Sequence, residues 1–219
     1  MKRAGLATVL LVALAAPALA DETFEQKAAS ARSVRNLDEV AWALTAACDK
    51  GDDTQQRQCR LVRDARAKTE LGATLLVDAD PAALEIGAFS TAKKSLTLQL
   101  SSCIRCTPMQ IDGKPLHLTG AAPRVEGGKL RTSWLYDNTR QFADETAAKA
   151  WVATLDGARV QMVIRVPDRK RWQVGGKDGL LVDVIAWRVI LPCTGVVVIA
   201  SPASGNAEPD RKACPAPAK

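Results

Sequence analysis

The sequence predicts an α+β fold, with an N-terminal helical hairpin followed by a mostly antiparallel, β-rich domain that carries one inserted helix. Three observations lead to this prediction. Apolar residues recur at helical spacing before Gly72 and at alternate positions after it. A further segment with helical spacing interrupts the later strands. The chain also holds six cysteines, an even number that is typical of a disulfide-stabilised scaffold.

The first segment, residues 1–20, has the layout of a secretory signal peptide. Lys2 and Arg3 precede an apolar run, and small residues predict cleavage near Ala20. A transmembrane anchor needs about 18 apolar residues in a row, and Pro17 interrupts this run. We therefore expect a bacterial protein that is exported to the periplasm or secreted, with no membrane span in the mature chain.

The predicted mature chain has three parts. Residues 21–70 form the helical hairpin, residues 71–200 the β-rich domain, and residues 201–219 a Pro-rich tail tied back by Cys214. The formal net charge is +6 and falls to +4 without the two basic residues of the signal peptide. So small an excess in an exported chain does not predict a nucleic-acid partner.

Two predicted helices form the hairpin. The first covers residues 23–47, where apolar residues form one stripe, and the second covers residues 53–68. The turn between them is short, so the helices must lie antiparallel. Cys48 follows the first helix and Cys59 lies inside the second, which predicts a bridge that clamps the hairpin.

Alternating apolar residues predict the strands of the β-rich domain. Asp112-Gly113 lies between two such runs and predicts a hairpin turn, as does the glycine-rich stretch 175–179. Asp144 is the expected N-cap of the inserted helix, residues 142–155. The predicted strands are 96–101, 109–111, 116–118, 129–136, 159–166, 180–191 and 196–200.

The cysteines are expected to form three local bridges in an oxidising compartment, since the chain has six of them. Pairing of neighbours in sequence is favoured because each such pair closes a modest loop. The spacing leaves other pairings open. The favoured pairs are Cys48–Cys59, Cys103–Cys106 and Cys193–Cys214.

The stretch CIRC, residues 103–106, is compatible with several kinds of site. Covalent haem attachment needs a His directly after the second Cys, where Thr107 stands. A zinc site needs four ligands as reduced side chains, and the chain has a single Cys-x-x-Cys unit. A redox-active pair needs a following helix, but the next residues alternate as in a strand. A structural disulfide is therefore favoured, and a thiol–disulfide oxidoreductase is the alternative.

The chain's one histidine, His117, is the remaining candidate for acid–base chemistry. It occupies an alternating position in a predicted strand and has no evident nucleophile or carboxylate partner, so a packing role is favoured. The acidic residues Asp78 and Asp80 lack the spacing of a calcium loop and are interpreted as caps and turns. The sequence thus predicts no catalytic residues, no metal ligands and no cofactor.

A basic cluster after the strand 159–166 is the main candidate for a binding surface. Positive charge beside an aromatic ring suits anionic lipid headgroups or an acidic protein, although a charged hairpin tip is commonly just solvated. The members of this cluster are Arg165, Arg169, Lys170, Arg171 and Trp172.

These observations together favour a non-catalytic function. We expect an exported binding or structural module, held by three disulfides, whose partner is an envelope protein or an anionic surface. The first alternative is a periplasmic thiol–disulfide oxidoreductase that uses Cys103 and Cys106. The second is an anionic-lipid or envelope-surface binder that uses the basic cluster.

Overall fold

Residues 22–212 are described by a computed structural model, and the predicted signal peptide and Cys214 lie outside them. The helices are α1 (Phe24–Ala29), α2 (Leu37–Thr45), α3 (Asp53–Glu70), a short 3-10 helix (Pro81–Ala83) and α4 (Glu145–Thr154). The strands are β1 (Arg32–Val34), β2 (Thr74–Asp78), β3 (Leu84–Ile86), β4 (Ser95–Ser101), β5 (Cys103–Ile111), β6 (Lys114–Thr119), β7 (Arg124–Glu126), β8 (Lys129–Arg131), β9 (Trp134–Gln141), β10 (Arg159–Arg165), β11 (Arg171–Val174), β12 (Lys177–Leu181), β13 (Asp183–Leu191) and β14 (Val196–Ser201).

The strands form four sheets, and most neighbours are antiparallel. A five-stranded sheet has the order β1-β2-β10-β13-β14, and a four-stranded sheet has the order β11-β12-β6-β5. A three-stranded sheet, β3-β4-β9, and the β7-β8 hairpin complete the β structure of the described chain. Only the β1–β2 and β12–β6 pairs run parallel. The predicted α+β class with a mainly antiparallel sheet is confirmed.

The helical hairpin is present, but its first helix is shorter than predicted. In place of one helix over residues 23–47, β1 separates α1 from α2 and pairs with β2. The side chain of Asn36 then starts α2 by accepting a hydrogen bond from the Asp38 backbone N–H at 3.1 Å. The local spacing of apolar residues favours a helix here, but the pairing of β1 with β2 is the stronger influence. Tertiary contacts of this kind often override a local helical preference.

The second helix of the hairpin, α3, matches its prediction and packs against α2. Asp52 and Gln55 form a capping box at its start. Of its side chains only Ala67 is fully buried. Cys59 is bonded to Cys48, with a Cα–Cα distance of 5.5 Å. The covalent bridge is therefore a large part of what holds α3 to the protein.

The hydrophobic core lies mainly on one face of the five-stranded sheet. Met162 and Ile164 of β10 point into it together with Trp187 of β13, whose indole meets the ring of Tyr136 edge-on at 5.8 Å. The other face of the same sheet carries a smaller cluster, in which Phe24 of α1 is completely buried. The alternation of β-strand side chains thus gives the sheet one face for the core and one for α1.

Two predicted turns are also confirmed. Asp112 and Gly113 both have positive φ, 53° and 80°, as a tight hairpin between β5 and β6 requires. Gly175 and Gly176 have the same property, with φ of 55° and 72°, and join β11 to β12. The basic loop before them is shorter than predicted, because Arg171 and the residue after it belong to β11.

Candidate functional site

The CIRC stretch begins β5, at a place where that strand bulges. Its pairing with β6 shifts register twice around Arg105. Cys103 and Cys106 are joined by a disulfide, with a Cα–Cα distance of 5.5 Å. Cys103 is 4% exposed, and Cys106 is half-buried. The residues that follow continue as a strand, as predicted, so the CIRC stretch does not begin a helix.

Asp80 holds this bulge in place from both sides. Its carboxylate accepts a hydrogen bond from the Thr107 backbone N–H at 2.9 Å, and its own N–H donates to the Ile104 carbonyl at 2.8 Å. The same carboxylate caps the 3-10 helix through the Ala82 N–H at 3.1 Å. The prediction that this acidic residue serves as a cap is confirmed, and it also fixes the backbone around the disulfide.

The electrostatics at Asp80 favour the charged carboxylate. Burial raises the pKa of Asp80, but hydrogen bonds from the backbone of Thr107 and Ala82 and from the Thr107 side chain lower it, as does the positive charge of Arg105. The lowering effects are larger, so the pKa lies below its ordinary value.

His117 lies on β6, beside the disulfide. Its backbone neighbour across the sheet is Gly179 of β12, which in turn pairs with Trp172 of β11. The three positions therefore form a row on one face of the sheet. Gly179 has no side chain, and a Cβ atom there would collide with the Trp172 ring. The indole can thus lie over the glycine and reach His117.

The contacts of Trp172 fix the imidazole. The two rings stack with their centroids 6.0 Å apart and an interplanar angle of 24°. The indole N–H donates to the hydroxyl of Thr119 at 3.0 Å. His117 is 4% exposed, and its Nδ1 atom has no hydrogen-bond partner within residues 22–212. A buried polar atom without a partner is costly to the folded state, so this nitrogen is an unusual feature of the sheet.

The surroundings of His117 favour the neutral imidazole. Burial lowers its pKa, hydrogen bonding with the backbone of Arg105 and Cys106 raises it, and the charge of Lys177 lowers it. The net effect places the pKa of His117 below its ordinary value of 6.5. The ring is therefore uncharged at neutral pH and can accept a proton.

The disulfide and His117 share a cavity of about 450 Å³, hereafter the His117 pocket. The β7–β8 hairpin and the segment after it form the opposite wall, and Trp134 there is 36% exposed. Three cationic side chains line the pocket, accompanied by one carboxylate: Lys129, Arg131, Lys177 and Glu85. Glu85 is bound to Arg131 at 3.0 Å, so the two lysines give the pocket a positive potential.

The predicted basic cluster is divided among different surroundings. Arg165 forms an ion pair with Asp183 at 3.1 Å, and Arg169 forms one with Asp64 of α3 at 3.7 Å. Lys170 is exposed. Trp172 is half-buried and faces His117 rather than solvent. Arg171 lines a second cavity, of about 410 Å³, between the β11-β12-β6-β5 sheet and the end of α2.

Two of the three predicted bridges, Cys48–Cys59 and Cys103–Cys106, are confirmed. The third predicted bridge, Cys193–Cys214, stays a prediction, because Cys214 lies outside the described residues. Within residues 22–212, no group of three or more His, Cys, Asp or Glu side chains is arranged to hold a metal ion. No helix in the same range is both long and apolar enough to cross a membrane.

Sequence reasoning identified the disulfide but missed the surroundings of His117. The chain separates the CIRC stretch, the imidazole, Trp172 and the lysines by long intervals, and only strand pairing brings them together. Gly179, two residues after Lys177, was the one available signal. It was predicted to lie in the turn 175–179, whereas the structure places it in β12. A glycine inside a strand often marks a place where a side chain from a neighbouring strand approaches the backbone.

Comparison of the chain with protein-family models, with curated proteins and with solved structures finds no match. Function is therefore inferred from the chain's own residues.

Proposed function

We propose that the protein is an exported binding module that holds a small anionic ligand in the His117 pocket. The ligand carries a carboxylate or phosphate group, which the lysines attract and which contacts the imidazole. The observation that supports this most is the cavity itself, which His117 and two lysines line and whose one carboxylate is already paired with Arg131. The proposed location, the periplasm or the extracellular space, is supported by the signal-peptide pattern of residues 1–20.

The charges around the pocket suit an anion rather than a cation or an apolar ligand. Glu85, the one acidic side chain of the lining, is already neutralised by Arg131. Lys129 is exposed and Lys177 is half-buried, so both are available to a ligand at the mouth. Trp134 adds an apolar surface on the opposite wall, which suits the carbon skeleton of an organic acid.

Titration calorimetry of the oxidised protein with citrate, and separately with inorganic phosphate, tests this proposal. We expect binding that weakens with added salt. The double variant Lys129→Ala plus Lys177→Ala removes two charge contacts of about 0.5–1 kcal/mol each, so affinity should fall by about five- to thirtyfold. The control is Lys93→Ala plus Lys149→Ala, which removes the same charge away from the pocket. Equal affinities for the two double variants, or no binding of either anion, would overturn the proposal.

A second candidate function is docking on an anionic envelope surface through α3 and the neighbouring basic loop. The supporting observation is that Leu61 of α3 is 67% exposed and Val62 is 43% exposed. Arg57 and Arg60 are exposed on the same helix, and Arg169 approaches it through its ion pair with Asp64. Apolar side chains surrounded by basic ones are typical of helices that lie on anionic lipid.

A further inference from the structure

We propose that the Cys103–Cys106 disulfide is a redox-active centre that exchanges with thiols entering the His117 pocket, with His117 carrying the proton. This activity is distinct from anion binding, because it requires the two sulfurs, although both proposals use the His117 pocket and its lysines. It assigns to the pocket a substrate class, a low-molecular-weight or peptide thiol.

The first argument is placement. Both cysteines and His117 line the same cavity, which is open to solvent between β5 and the β7–β8 hairpin. Cys106 is half-buried, whereas Cys103 is almost fully buried. An incoming thiol therefore reaches Cys106 more readily, and Cys103 becomes the leaving group. Cys48 and Cys59 do not line this pocket, and the chain has no second histidine.

The second argument is the environment of the sulfurs. A thiolate is the reactive form of cysteine, and nearby positive charge stabilises it. The pocket supplies this charge from Lys129 and Lys177, with Arg131 held beside them by Glu85. In other redox-active Cys-x-x-Cys pairs the positive end of a helix stabilises the thiolate. Here β5 is a strand, and these cationic side chains supply the positive charge instead.

The third argument is the state of the imidazole. Stacking on Trp172 and the row of strand pairs hold the ring in one orientation, and the ring lines the same cavity as both sulfurs. A neutral, oriented imidazole at the wall of the cavity is able to take a proton from a thiol and return it to a thiolate. Burial contributes to this by lowering the pKa of the ring.

The exchange proceeds in two balanced steps. In the first, His117 removes the proton of the incoming thiol, whose sulfur attacks the sulfur of Cys106. The Cys103–Cys106 bond breaks, its electron pair leaves with Cys103, and the imidazolium returns the proton to that thiolate. In the second, another thiol attacks the substrate sulfur of the mixed disulfide and releases Cys106 as a thiol. The protein disulfide is reduced to two thiols, and the substrate is oxidised to a disulfide.

The test is reduction of the full mature chain by glutathione, followed by alkylation and mass spectrometry of each cysteine pair. Cys48–Cys59 in the same sample is an internal reference. We expect Cys103–Cys106 to be reduced at least about tenfold faster than the reference, because acid–base assistance of this kind is worth about a hundredfold or more in enzymes. If Cys103–Cys106 is no faster than Cys48–Cys59, the proposal is wrong.

The pH dependence separates a role of His117 in proton transfer from a merely structural one. The reference bridge reacts with free thiolate, whose amount grows with pH. The assisted route uses neutral thiol and neutral imidazole. The rate ratio between the two bridges should therefore fall as pH rises through the titration of His117, whose NMR signal is unambiguous because the chain has one histidine. A flat ratio in the unmodified protein would contradict the proposal.

Variants complete the test. His117→Gln should lower the rate ratio and make it independent of pH. Lys177→Gln should slow reduction about two- to fivefold through loss of one positive charge, whereas Lys114→Gln, on the same sheet but in the other cavity, should leave it unchanged. If His117→Gln does not fold, the pH profile and the lysine pair still decide. Citrate binding measured on the oxidised protein is a separate readout, so either proposal can fail alone.

Discussion

Asp80 has the largest structural role of the polar residues near the disulfide. It accepts hydrogen bonds from the N–H groups of Thr107 and Ala82, and its own N–H binds the Ile104 carbonyl. Asp80→Ala should lower the free energy of unfolding by about 1–3 kcal/mol, through the loss of a cap and of one further hydrogen bond. Urea denaturation measures this. The control is Asp78→Ala, whose exposed carboxylate makes only long contacts of 3.3 and 3.8 Å. A similar loss in both variants would contradict the prediction.

The effect of Asp80 should depend on pH in a defined direction. Its pKa is lower in the folded protein than its ordinary value of 3.8, so the unfolded chain binds the proton more tightly. The stabilisation is therefore complete above this value and is lost as pH falls through the lower pKa of the folded state. Denaturation curves of the wild type and Asp80→Ala should converge in this acidic range. A constant difference down to low pH would contradict the assignment.

Gly179 is the second residue with a testable role, since it leaves room for the Trp172 ring. Gly179→Ala would place a Cβ atom against this ring, so the indole must move away from His117 and Thr119. We expect a loss of about 1–3 kcal/mol in unfolding free energy and a shift in tryptophan fluorescence. The control, Gly205→Ala, adds a Cβ that meets nothing within 4 Å and should change neither. An unshifted spectrum in Gly179→Ala would be evidence against the stacked arrangement.

Among the elements, α3 depends most on a covalent bond. It is amphipathic only in part, with one fully buried side chain and many charged ones. The bridge joins two cysteines that are separated by 11 positions in the sequence. Replacing Cys48 and Cys59 by Ala should therefore lower the free energy of unfolding by about 3 kcal/mol. Hydrogen exchange should then speed up selectively in α3, while α4, which has no disulfide, keeps its protection. Equal changes in both helices would show that the bridge acts on the whole fold instead.

At the scale of the whole molecule, the second candidate function predicts salt-sensitive binding to vesicles that contain anionic lipid. Each basic side chain near such a surface contributes about 1 kcal/mol. Arg57→Glu plus Arg60→Glu, both on the exposed side of α3, should therefore weaken binding at least about thirtyfold. The control, Lys93→Glu plus Lys149→Glu, makes the same charge change elsewhere and should weaken it much less. Sedimentation with vesicles measures the binding of each double variant. If both double variants weaken binding equally, the protein is attracted only by its net charge, and the proposed surface is wrong.

Much of the fold could be predicted because its signals are local. The α3 helix, the inserted helix α4 and many strands follow from spacing within a dozen residues or fewer, and the tight turns at Asp112-Gly113 and Gly175-Gly176 from residues that tolerate positive φ. The single strands predicted over 129–136 and 180–191 are wrong, because each is divided into two strands of different sheets. The short strands β1, β3 and β7 carry no such pattern. Each has only three residues and exists through its partner strand, so the sequence around it contains little evidence of it.

The candidate site was predictable in its chemistry and not in its arrangement. The CIRC stretch predicted a disulfide next to a strand, and both the disulfide and the strand are confirmed. His117 was interpreted as a packing residue because no partner lies near it in sequence. Its partners come from β5, β11 and β12. The basic cluster was predicted as one surface, but ion pairs to Asp64 and Asp183 divide it.

The sequence by itself determined the α+β class and the helical hairpin, since these depend on periodicity and turn residues, and it favoured the two bridges that the structure shows within residues 22–212 because their cysteines are close together in the chain. Only the tertiary structure decided that His117, the CIRC disulfide and two lysines share one cavity. The physical reason is that strand pairing joins residues without regard to their separation along the chain, and the missing side chain of Gly179 has meaning only once a tryptophan from the next strand lies over it.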